Sequence, residues 1–79
     1  LDPQLLFAIA QTESGLNPRA IGKTHGEIGL MQLRPTYFPT ASFDPEHNMD
    51  LAAQYLVKLK KQCNYLLTCF HLIQKRKKN

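Results

Sequence analysis

Two aspartate–proline pairs, Asp2-Pro3 and Asp44-Pro45, restrict the fold of this chain more than any other feature. Aspartate accepts hydrogen bonds from the exposed amides at a helix start, and proline at the first helical position gives up no hydrogen bond. Each pair therefore predicts a helix. After the first, Leu5, Leu6, Ile9 and Ala10 form a stripe at helical spacing, thickened by Phe7 and Ala8, and Gly15 supplies a stop; a helix is expected over about residues 3–14. After the second, Met49, Ala52, Leu56, Leu59 and Cys63 recur at steps of three and four, one amphipathic face. Lys58, Lys60 and Lys61 sit away from that face and favour the helix C-terminus. Asn48 is the expected cap of this main run, with residues 44–47 as a turn leading in.

The intervening chain is punctuated. Asn17-Pro18, Gly22, Gly26 and Gly29 make residues 15–30 loop. The stretch "GLMQLRPTYF" at 29–38 is apolar around one amide, Gln32, and is expected either to begin a short helix or to cross the core extended. Pro35 and Pro39 forbid a long element there. "NYLLTCFHLIQ" at 64–74 fits a helix or a strand. "GKT" at 22–24 is not a phosphate loop, because position 17, where that loop needs glycine, is asparagine.

Seventy-nine residues make one small domain, expected over 1–74. Such a chain buries only ~60% of the surface its unfolded form exposes, so a staple, a partner or further sequence is expected to support it. The net charge of +4 resides entirely in Lys75, Arg76, Lys77 and Lys78, since residues 1–74 hold six basic and six acidic side chains. Residues 75–79 are expected to be a solvated basic tail, not a nucleic-acid site. No apolar run approaches the ~20 residues that span a bilayer. The chain starts at Leu1 and is expected to be a processed product or a fragment. Cys63 and Cys69 close a small loop in an oxidising compartment and are free thiols in the cytosol. Their spacing is not that of a zinc site, and His25, His47 and His71 are scattered, so no metal and no cofactor is expected.

Leu5, Ile9 and Glu13 are spaced by four and lie along one helix face, so an acid ends the buried stripe. Partial burial and the negative carbonyl end of the helix both disfavour its anion. A carboxyl kept protonated in this way is what a general acid requires.

"ESGLNPRAIG", "GLMQL" and "DPEHNMDLAAQYL", in that order and spacing, resemble the soluble lytic transglycosylase family over roughly residues 1–62. The resemblance implies a mainly α, lysozyme-like fold of the α+β lysozyme superfamily, related to goose-type lysozymes. It implies peptidoglycan glycan strands as substrate, cleaved at the MurNAc-β-1,4-GlcNAc bond to give 1,6-anhydromuramic acid. It assigns the catalytic acid, later base, to Glu13, and substrate contacts to Ser14, Met31 and Gln32. Read without the family, Gln32 needs a polar partner, either a sugar or a backbone group, and Met31 is by base rate a core residue. Asn48 and Tyr55-Leu56 match architectural positions, and Ala52 stands where relatives often have glycine.

The family's third motif, Ala-Tyr-Asn followed by glycine, whose tyrosine reaches the acid, is not found: Tyr65 is followed by Leu66, and no glycine follows. The C-terminus is therefore expected to be truncated or diverged, and the alternative is a non-catalytic peptidoglycan-binding remnant. Two-carboxylate glycosidases would need a second acid. Glu27 and Asp44 are the candidates, and both are expected to be loop acids facing solvent. The family further implies the periplasm or cell envelope, and, as a partner, an envelope-spanning secretion, conjugation or phage assembly.

Overall fold

A computed structural model describes residues 1–77; the last two residues of the expected tail, 78 and 79, lie outside the described residues. Among the described residues three helices follow one another: α1 (Pro3–Ser14), α2 (Pro45–Leu59) and α3 (Leu66–Lys75). The fold is mainly α, as expected.

Both Asp-Pro pairs start helices. Asp2 accepts from the Gln4 amide and Asp44 from the His47 amide, each at 2.9 Å, with proline at the first turn. α1 ends where glycine allows: Gly15 has φ 61° and its amide returns to the last turn. Ile9 and Ala10 are buried, whereas Phe7 is 55% exposed and does not thicken the stripe. Asn48 is not the cap of α2. The helix starts at Pro45, and Asn48 lies fully buried within it.

Between α1 and α2 the chain crosses the core with neither helix nor sheet. Ile28 forms isolated bridges to Ile21 and to Leu33, folding residues 21–33 back on themselves. Met31 and Leu33 are fully buried and join Ile9, Ala52, Leu56 and Phe70 in one core. Asn48 anchors this segment to α2: its Oδ1 accepts from the Met31 amide at 2.8 Å, and its Nδ2 donates to the carbonyls of Ile28 and Ser42 at 3.0 Å each.

Residues 66–75, open between helix and strand in the sequence, are helix. Leu66, Phe70 and Ile73 follow helical spacing, and Phe70 is fully buried against Tyr55 of α2, their ring centroids 6.3 Å apart. Tyr55 in turn meets Phe38 edge-on at 5.4 Å. A disulfide joins Cys63, in the turn after α2, to Cys69 in α3. α3 packs on both α1 and α2.

Candidate functional site

The C-terminal end of α1 and one face of α3 meet at Glu13. Nδ1 of His71 lies 2.7 Å from Glu13 Oε2. The Glu13 side chain is fully enclosed, while that of His71 is 44% exposed. Glu13 Oε1 is buried and has no hydrogen-bond partner. The two oxygens of one carboxyl are thus unlike: one is held by a ring nitrogen, the other is shielded from water and unused.

Ser14, beside the acid, donates to the Leu30 carbonyl at 2.7 Å, with the Ala10 carbonyl 3.0 Å away. It ties the end of α1 to the crossing segment. Met31 is fully buried in the core. Gln32 is 3% exposed, and its Nε2 donates to the carbonyls of Ala20, Glu27 and Gly29 at 3.1–3.3 Å. Its backbone is left-handed, with φ 53°, a conformation rare for a residue with a side chain and here held by those contacts. Of the two partners open to Gln32, the backbone is the one it has. Ser14 and Leu30 bring the "GLMQ" stretch against the acid, but the side chains of Met31 and Gln32 turn into the protein and not into an open groove.

Glu27 is not a solvent-facing loop acid. It is fully buried, accepts from the His25 amide at 3.1 Å and pairs with Lys75 Nζ at 3.2 Å. Burial pushes its carboxyl up, but backbone amides of Glu27 and His25, together with Lys75, outweigh it and hold the group below its ordinary range. Asp44 is an exposed helix cap. Neither acid is seen to share a hydrogen bond with Glu13.

Lys75 is accordingly not part of a solvated tail. It closes α3 and docks that end on the loop, where His25 Nε2 also lies 3.3 Å from the Lys75 carbonyl. Gln74, fully buried, accepts from the Arg34 amide at 2.7 Å, and Arg34 reaches back to the Arg76 carbonyl. His71 was not singled out by its sequence context. The signal available was helical: Leu67, His71 and Lys75 share one face once 66–75 is read as a helix.

These elements make a small, mainly helical domain with an acid closing its first helix. Residues 1–71 match the family model described as Transglycosylase SLT domain, and the chain belongs to that family. The match extends past residue 62, into α3. Two proteins from strains of Klebsiella pneumoniae, each named endo-type membrane-bound lytic murein transglycosylase A, are 38% identical to it, over 71% of this chain and 34% of their own length. The chain thus spans about a third of the length of these curated relatives. No solved structure matches it. No helix among the described residues is long and apolar enough to cross a membrane.

Proposed function

We propose that this chain carries the acid–base centre of a lytic transglycosylase acting on peptidoglycan glycan strands in the bacterial envelope. One observation carries the proposal: Glu13, in the family-matched stretch, is an enclosed carboxyl with one oxygen held and the other without a partner. Glu13 gives its proton to the glycosidic oxygen as the bond from that oxygen to the muramyl anomeric carbon breaks. The substrate's own N-acetyl group stabilises the developing cation. The carboxylate then takes the proton of the muramyl 6-hydroxyl as that oxygen bonds to the anomeric carbon. The product is 1,6-anhydromuramic acid, no water is consumed, and one carboxyl serves as acid and then base. Ser14 supports this centre by tying α1 to the crossing segment at the Leu30 carbonyl, and Gln32 by bracing that segment internally through the carbonyls of Ala20, Glu27 and Gly29.

The same enclosure favours a second reading, a wall-binding module that no longer cleaves. The Glu13 side chain has no surface exposed to a glycan strand in this structure. Digestion of purified peptidoglycan with the chain and with Glu13→Gln, read by mass spectrometry, separates the two. Anhydromuropeptides from the wild type alone support the transglycosylase. Pelleting with the wall without cleavage supports the binding module. Reducing-end products would make water the acceptor and overturn the single-carboxylate scheme.

A further inference from the structure

We propose that His71 is the positioning residue of the Glu13 carboxyl: it ties down Oε2 and leaves Oε1 as the oxygen that exchanges the reacting proton. The proposal rests on the transglycosylase reading for its role in chemistry, and on geometry alone for the pairing.

The contact is direct, 2.7 Å between Nδ1 and Oε2, and it joins elements 58 residues apart in sequence. Its two sides differ in solvent access. Glu13 is sealed, whereas His71 keeps nearly half of its ring surface in water. For Nδ1 to donate to Oε2, the Nδ1 position must carry a ring proton. Glu13 Oε1 has the opposite status: buried, with no donor or acceptor in reach. Buried polar atoms are nearly always paired; of the four buried side-chain atoms without a hydrogen-bond partner among the described residues, Glu13 Oε1 is the one on the carboxyl held by His71, and there a ligand atom can complete the set. A glycosidic oxygen or sugar hydroxyl is such an atom, and it can meet Oε1 only if the carboxyl is kept from rotating. The His71 hydrogen bond prevents that rotation.

His71 is itself held in place. The Cys63–Cys69 disulfide lies before it on α3, and beyond it Gln74 meets the Arg34 amide and Lys75 meets Glu27. Lys75, one turn along the same face, is engaged by Glu27, and Glu13 is the titratable group bonded to the ring.

The test is nitrogen NMR of the His71 ring, together with kinetics of His71→Asn and His71→Leu. Asparagine places an amide close to the position of Nδ1, and leucine places none. The neutral wild-type ring should carry its proton on Nδ1 and should revert to the Nε2–H form in Glu13→Ala. His71→Leu should lower kcat for anhydromuropeptide release on the order of 100-fold with little change in KM, and His71→Asn should recover much of it. A neutral wild-type ring protonated at Nε2 overturns the proposal, as does an asparagine variant no better than leucine. A wild type that cleaves nothing removes the transglycosylase reading, and the ring tautomer then decides the pairing by itself.

Discussion

Asn48 Oδ1 accepts a hydrogen bond from the Met31 amide at 2.8 Å, and through it α2 grips the segment that crosses the core. The same side chain satisfies two more backbone groups, the carbonyls of Ile28 and Ser42. Three buried or part-buried backbone partners therefore depend on one amide. Asn48→Ala should cost about 3 kcal/mol or more, because each partner left behind is desolvated without compensation. For a domain of this size that lowers Tm by more than about 10 °C. Asn48→Asp should not restore it, since it replaces the donor aimed at two carbonyls with an acceptor. Thermal melts of the two variants check both statements.

Gly22 lies against the buried carboxylate of Glu27. A Cβ there would overlap Glu27 Oε1 and come within 2.7 Å of Gln32 Oε1. Both side chains are pinned by hydrogen bonds, so neither can yield cheaply. Gly22→Ala should destabilise by about 1–3 kcal/mol through overpacking. Chemical denaturation would register this as a lower midpoint at unchanged slope.

Glu27 should make the domain acid-sensitive. Its carboxyl is held below the ordinary value of 4.5 in the native state. Above that value it is ionised folded and unfolded, and its full contribution is present. As pH falls below it, the unfolded chain takes up the proton first, and stability declines until the native carboxyl also protonates. Glu27→Gln should cost roughly 2 kcal/mol near neutrality by weakening hydrogen bonds to a charged acceptor. Melting curves of wild type and variant should converge in acid. A gap that stays constant with pH would refute the assignment.

The Cys63–Cys69 bridge holds the start of α3. Closing so short a loop is worth about 2 kcal/mol in the chain-entropy account. Reductant should lower Tm accordingly and should add nothing to a variant with serine at both positions. Free thiols in protein isolated from the periplasm would contradict the bridge.

The most legible parts of this protein were those set by local chemistry. Asp2-Pro3 and Gly15 bound α1 where the structure has it, and the stripe of Leu5 and Ile9 placed Glu13 at its end. Local spacing puts the cap of α2 at Asn48 and the structure puts it at Asp44, because a buried polar residue near an N-terminus looks like a cap until its distant partners are known. Lys75 looked like part of a solvated charge run, and Glu27 like a loop acid, for the same reason: each finds its partner in the other, across most of the chain.

The sequence by itself determined the helical class, two of the three helices, the family and the place of Glu13 at the end of α1. Caps, breakers and apolar periodicity act within a turn or two of the backbone, and ordered motifs need no contacts to be read. Only the tertiary structure decided that the C-terminal stretch is a helix, that Met31 and Gln32 face inward, and that His71 meets Glu13. Those outcomes depend on which surfaces pack together, and a hydrogen bond between residues 58 positions apart leaves no trace in the sequence around either.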